Sequence, residues 1–186
     1  MNRIVTLLNH ALTAGVALLL TAGLLHADEE KLDELFERLA QPELAEWEAV
    51  EQEIFANWSR SGSPAMDLLL QRGREAMNEG DFDVAIDHFS ALIDHAPDFA
   101  EGYNARATAY FHAGRFGQSI SDIERTLALN PRHFGAMSGM GNILNQLGLY
   151  PEALEIIRRA RTVHPHRPDL IEAQEHLEAR VDGTSL

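Results

Sequence analysis

Between residues 66 and 163 the apolar positions fall into successive helical stripes, interrupted at a fixed interval by glycine and proline. Gly80, Gly114 and Gly148 stand 34 residues apart, as do Pro97, Pro131 and Pro165. Two positions after each glycine comes an aromatic: Phe82, Phe116 and Tyr150. Three further on comes a small side chain (Ala85, Ser119, Ala153), and four beyond that a bulky apolar one (Phe89, Ile123, Ile157). This pattern predicts six helices in three pairs. The first members are Met66–Glu79, Ala100–Ala113 and Phe134–Leu147, and the second are Phe82–Ala96, Phe116–Leu129 and Tyr150–Val163.

Each recurring residue has a mechanical reason. Glycine takes the left-handed conformation that ends a helix. The small residue lets the second helix approach the first, and the bulky one fills the space beyond. Proline falls in the turn after the pair, where it cannot continue a helix. Asp98 and Glu101 are spaced as a capping box for the helix that opens at Ala100. One pair cannot bury both its faces, so such units stack. Beyond Arg167 a further amphipathic helix is expected from Pro168 to Arg180, with Leu170, Ile171, Ala173, Gln174, Leu177 and Val181 along its inner face. It would cap the last repeat, with a frayed VDGTSL tail. Before the repeats, Leu32, Leu35, Phe36 and Leu39 mark one helix. Pro42 opens another, with Leu44, Trp47, Val50, Ile54 and Trp58 as its stripe. Ser59–Pro64 is a turn in which Ser63 caps the first repeat helix.

The length and register resemble the tetratricopeptide repeat, a helix–turn–helix unit. The third repeat carries the match through Met137, Met140-Gly141, Leu144, Gly148, Tyr150, Ala153, Ile157, Ala160 and Pro165. The second carries it through Tyr103, Arg106-Ala107, Tyr110, Gly114, Phe116, Ser119, Ile123, Thr126 and Pro131. The first carries it through Leu69, Arg72-Gly73, Ala76, Gly80, Phe82, Ala85, Phe89, Leu92 and Pro97. Arg72 and Arg106 depart from an expected Leu, and Leu92 from an expected Ala. The resemblance implies an all-α solenoid of three repeats (66–99, 100–133 and 134–167, within a unit spanning 64–167). An acidic hairpin at 28–63 precedes it and a capping helix with tail at 168–186 follows. The hairpin occupies the slot of a degenerate repeat. Its Trp stripe reads either as an N-terminal cap on the first repeat or as a surface for a partner or a second copy.

Charge and composition narrow the function. The net charge is −14, from 15 basic and 29 acidic residues, which opposes binding to nucleic acid. Residues 28–53 hold 11 acidic and 2 basic residues. There is no Cys, and Lys31 is the only lysine, so thiol, disulfide and lysine-dependent chemistry are out. Residues 1–27 lack Asp and Glu, carry Arg3 and then an apolar run from Ala11 to Leu25, and end at Ala27. That is the layout of a secretory signal peptide. It predicts a chain that starts at Asp28 in the periplasm or outside the cell, with no membrane contact. The alternatives are an uncleaved N-terminal anchor and an ordinary buried helix.

There is no Gly-x-Ser-x-Gly, no Gly-rich phosphate loop and no His-Glu-x-x-His spacing, and Ser, His and Asp are scattered without a constellation, so neither catalysis nor a cofactor is expected. His164 and His166, with His176, read either as a surface metal site or as exposed turn histidines. Arg158, Arg159, Arg161 and Arg167 read either as a dock for an acidic segment, such as this hairpin from a second copy, or as charges balancing nearby Glu. The resemblance implies an adaptor or scaffold that binds an extended peptide or protein, and the leader layout makes it an exported one. The alternative is a periplasmic assembly factor or holdase chaperone. The resemblance also implies that the first helix of each pair lines a concave groove. Here that offers Leu70, Arg74, Met77 and Asn78, then Glu101, Asn104, Thr108, Phe111 and His112, then Ser138, Asn142, Asn145 and Gln146. Arg74, Met77, Asn104, Thr108, Phe111, Ser138, Asn142 and Asn145 are the candidate peptide contacts, unless the Asn side chains are merely solvated. Relatives that hold a chaperone's C-terminal carboxylate use a clamp of Lys, Asn and Arg. The matching positions here are Leu70, Arg74, Ala105, Gly135 and Gly139, and the clamp is absent.

Overall fold

Gly80, Gly114 and Gly148 adopt φ of 83°, 72° and 76°, the left-handed region in which a side chain would be strained. After each of them the chain donates back five residues: Asp81 N–H to Ala76 O, Arg115 N–H to Tyr110 O and Leu149 N–H to Leu144 O. These closures make the three repeat hairpins. The computed structural model describes residues 29–184, which form nine helices and no strand. They are α1 (residues 29–39), α2 (Trp47–Trp58), α3 (Pro64–Glu79), α4 (Phe82–His95), α5 (Ala100–His112), α6 (Phe116–Leu129), α7 (Phe134–Gln146), α8 (Tyr150–Val163) and α9 (Pro168–Thr184). The proposed leader, residues 1–27, lies outside the described residues. Among the described residues no helix is long and apolar enough to cross a membrane.

The helices stack in sequence order, α3 on α4, α5 on α6 and α7 on α8, with α4 against α5, α6 against α7 and α8 against α9. The small residues sit at the crossings: Ala85 and Ala153 are fully buried, and Ser119 donates from Oγ to Ala107 O at 2.7 Å. Opposite them, Gly73 and Gly141 admit Phe89 and Ile157. A Cβ on Gly73 would lie 2.2 Å from Phe89 Cε1, and one on Gly141 would lie 2.5 Å from Ile157 Cδ1. Leu92 fits where Ala was expected because Gly102 faces it; a Cβ there would already press on Leu92 and Ile93 at 3.4 and 3.3 Å. Arg106, at a position expected to be Leu, makes a two-pronged pair with Asp122 (2.7 and 2.9 Å) and a bond to Ser90. The hydrogen bond with Asp122 raises the guanidinium pKa above its usual value, against the opposing effect of burial.

Several expectations are corrected. Glu101 does not close a capping box: α5 starts from Phe99 with no side-chain cap, and Asp98 faces Arg125 at 3.6 Å. Ser63 holds the N-cap position of α3 without a side-chain bond, and Ser61 instead bonds Asp67 through its N–H and Oγ. Pro42 lies in a turn, and α2 begins at Trp47. The last helix runs on to Thr184, beyond the expected end at Arg180.

The largest correction concerns the hairpin of α1 and α2. It neither caps the first repeat nor fills a repeat slot. Leu35, Phe36, Leu39, Val50, Ile54 and Trp58 form one buried cluster with Phe134, the first residue of α7, and Val163 packs on it from the end of α8. Trp58 stacks on His133 at 4.2 Å and lies 5.2 Å from the Phe134 ring, while Trp47 meets His164 edge-on at 5.4 Å. Polar contacts follow the same seam. Arg132 pairs with Asp33 and sits over the Phe36 ring, Arg167 pairs with Glu51, and His166 bonds Leu39 O. The acidic hairpin thus docks on the basic edge of the same chain's third repeat, so the apolar stripe considered for a second copy is covered from within. His164, expected to be an exposed turn residue, is fully buried there. Of the remaining basic cluster, Arg158 pairs with Glu178 and Arg161 bonds Gln174.

Candidate functional site

The first helices α3, α5 and α7 stand side by side and leave two clefts between them. The cleft between α3 and α5 holds about 300 Å³ and is lined by Arg74, Met77, Asn78, Phe89, Glu101, Asn104, Ala105 and Thr108. The cleft between α5 and α7 holds about 250 Å³. Asn104, Ala107, Thr108, Phe111, His112, Gly135, Ala136, Ser138, Gly139 and Asn142 line it, with Ser119, Ile123 and Ile143 beneath. Asn104 and Thr108 belong to both, so the two clefts form one groove crossing α5.

Of the candidates read from sequence, Arg74, Met77, Asn78, Asn104, Thr108, Phe111, His112, Ser138 and Asn142 line this groove. Asn145 and Gln146 line neither cleft. Leu70 does not face the groove: it is 2% exposed and joins the core with Phe89 and Ala105. Residue pattern alone missed the floor of the second cleft: Ala107 and Ile123 were read only as packing between helices, and Ile143 was not singled out. The available signal was Gly135 and Gly139, one helical turn apart on α7, which leave that floor uncovered.

Glu101 lines the first cleft but is buried, and it organises the charges around it. Its Oε1 accepts from Arg74 Nη2 at 2.6 Å, and its Oε2 accepts from Asn104 Nδ2 at 3.1 Å. His133 supplies a third donor. Its Nδ1 accepts the N–H of Ala136, capping α7, so the ring proton sits on Nε2 and points at Glu101 Oε2, 3.1 Å away. Arg74 also bonds Ser59 Oγ at the end of α2. A continuous path therefore runs from the hairpin through Arg74 and Glu101 to the groove amide of Asn104. A carboxylate with three donors, two of them from buried or half-buried neighbours, is satisfied as a structural group. It also pairs with Arg74, the one Lys or Arg of the groove lining among the described residues, so the groove presents amides, hydroxyls, the His112 ring and apolar surface. Among the described residues no group of three or more His, Asp or Glu side chains is placed to hold a metal ion.

A solenoid of helix–turn–helix repeats with a groove along its first helices is a protein-interaction fold rather than a catalytic one. A family model described as tetratricopeptide repeat matches residues 70–124 and 105–168, and the chain belongs to that family. A TPR repeat-containing protein of Rhizobium etli is 37% identical over 140 residues, covering 74% of this chain and 68% of that protein. The small glutamine-rich tetratricopeptide repeat-containing protein 2 of Saccharomyces cerevisiae is 30% identical over 112 residues, covering 60% of this chain but only 32% of that protein. Among solved structures, the first TPR of Spaghetti (RPAP3), bound to an HSP90 peptide, superposes with a TM-score of 0.61 at 24% identity. It covers 63% of this chain and 93% of that one. The TPR2B domain of yeast Sti1, in complex with pHsp70, gives 0.59 at 22% identity, covering 66% and 99%. At these identities the structures share the fold alone.

Proposed function

We propose that this chain is an exported adaptor or scaffold that holds an extended peptide, or an extended segment of a protein, in the groove across α3, α5 and α7. The observation that carries this reading is the pair Asn104 and Asn142 facing one cleft, with no free cation beside them. An amide offers both a donor and an acceptor, which suits the alternating N–H and C=O groups of an extended backbone. The neighbouring structures with chaperone peptides make peptide capture a natural use of the fold. Here Arg74 is tied to Glu101, and Ala105, Gly135 and Gly139 stand at the other clamp positions, so the ligand is neutral or mildly acidic and is held by its backbone.

Peptides selected from a random phage-displayed library against the full chain test this. Asn104→Ala combined with Asn142→Ala should weaken them by about 2 kcal/mol, or roughly thirtyfold. Asn104→Ala also removes a donor from buried Glu101, so the melting temperature should fall modestly and affinity is compared where circular dichroism shows the variant folded. Unchanged affinity in that double variant would remove the groove from the reading.

The same proposal places the protein in the periplasm or outside the cell, starting at Asp28 after cleavage. Its support is the apolar, acid-free segment ending at Ala27. Edman sequencing of the protein from its native source should begin at Asp28. Recovery of intact Met1–Ala27 in the membrane fraction would replace export with anchoring.

A further inference from the structure

The two clefts of the groove differ in chemistry, and the difference specifies what the second one takes. This inference rests on the groove reading above. Glycines occur in first helices for two separate reasons. At Gly73 and Gly141 a Cβ would collide with the partner helix, so packing demands glycine. At Gly135 and Gly139 it does not. A Cβ on Gly139 would meet only Ile123 Cδ1 among the described residues, at 3.6 Å, and the nearest atoms to one on Gly135 would be the His133 ring at 3.5 Å and Phe55 at 3.9 Å. These are ordinary contacts. Glycine is also the weakest helix former after proline, so neither packing nor helix formation accounts for the pair. What the pair does is keep open a cavity of about 250 Å³ above a floor of Ala107, Ile123 and Ile143, where the one hydroxyl, of Ser119, is bonded to Ala107 O.

Among the described residues no Lys, Arg, Asp or Glu lines this cavity. The nearest charged groups of the groove, Arg74 and Glu101, neutralise one another. A charged side chain entering here would lose its hydration and find no partner. A large apolar one would meet Ala107, Phe111, Ile123, Ala136 and Ile143, while Asn142 and the carbonyl oxygen of Asn104 are placed at the rim for backbone.

The geometry points to a socket between α5 and α7 for one bulky uncharged side chain, leucine, methionine or phenylalanine, carried by the bound peptide, with Gly139 setting its size. The C-terminal carboxylate of a ligand has no place in it.

The test uses the phage-selected peptides and four proteins: wild type, Gly139→Leu, Gly139→Ala and Asn104→Ala with Asn142→Ala. The expected peptides share one Leu, Met or Phe and need no free C-terminus. Changing that residue to Ala, or using Gly139→Leu, weakens binding at least about tenfold, and combining the two adds little, as for groups in direct contact. Gly139→Leu keeps or raises the melting temperature. If the leucine instead lowers it, Gly139→Ala reports in its place, shifting preference from Phe toward smaller apolar residues. Peptides that lose affinity in the Asn double variant but ignore Gly139→Leu leave the groove reading standing and overturn the socket. Selection of acidic C-terminal motifs also overturns it. Peptides that ignore every variant, or a library that yields none, overturn both.

Discussion

Trp58→Ala should lower stability by about 3–5 kcal/mol, as expected for truncating a large buried aromatic. Trp58 is 8% exposed and touches Phe36, Phe55, His133 and Phe134, so its loss opens a cavity at the centre of the hairpin seam. The location of the damage is the sharper expectation. Amide hydrogen exchange should accelerate at the start of α7 and the end of α8, where Phe134 and Val163 lose their cover. Accelerated exchange in α3 and α4 with α7 unchanged would put the hairpin on the first repeat instead. Trp58→Phe, which keeps an aromatic on His133, should lose less.

Gly73→Val should cost about 3 kcal/mol, in the upper part of the overpacking range. The new Cβ alone would sit 2.2 Å from Phe89 Cε1 and 2.6 Å from Cδ1. Phe89 is 1% exposed and held by Leu70, Ala76, Ala85 and Ala105, so its ring cannot swing aside. Valine's better helix propensity recovers only a few tenths of a kcal/mol. The midpoint of urea unfolding reads the difference. A valine variant as stable as wild type would mean that α3 and α4 do not approach as closely as the Phe89 contact requires. Gly139→Leu, on the groove side of the first helix α7, carries the opposite expectation. The contrast separates glycine required by packing from glycine that leaves space.

The repeats were legible in the sequence because each of their devices is local. A left-handed glycine, an aromatic two residues on, and a small residue facing the preceding helix all act within one hairpin, and their 34-residue spacing multiplies the signal. The groove was legible where it follows the same register, as at Asn104, Ser138 and Asn142. It failed at Leu70, whose equivalents are Asn104 and Ser138: an apolar side chain in that register turns into the core instead of facing solvent. The hairpin seam was not legible. An amphipathic stripe such as Leu44, Trp47, Val50, Ile54 and Trp58 declares that one face is covered and says nothing about what covers it. The charges gave half the answer, since the acidic segment and the basic end of the third repeat are complementary, but complementarity alone does not distinguish one chain from two. Nor does a histidine announce burial: His133 caps α7 and donates to Glu101 only because α2 roofs it with Trp58.

The hairpin's attachment also sets the order in which the molecule can assemble. A stack of repeats grows from contacts between near neighbours, so any segment can form early and either end can fray. Here Asp33 meets Arg132 across 99 positions, Glu51 meets Arg167 across 116, and Leu39 meets His166 across 127. Closing loops of that length must wait until the third repeat exists, which raises the contact order of an otherwise local fold and slows its last step. During synthesis α1 and α2 emerge before the repeats they dock on, and their apolar stripe stays uncovered until the third repeat is made. Once closed, the two ends of the solenoid are fastened to each other, and the third repeat cannot open without also releasing α1 and α2.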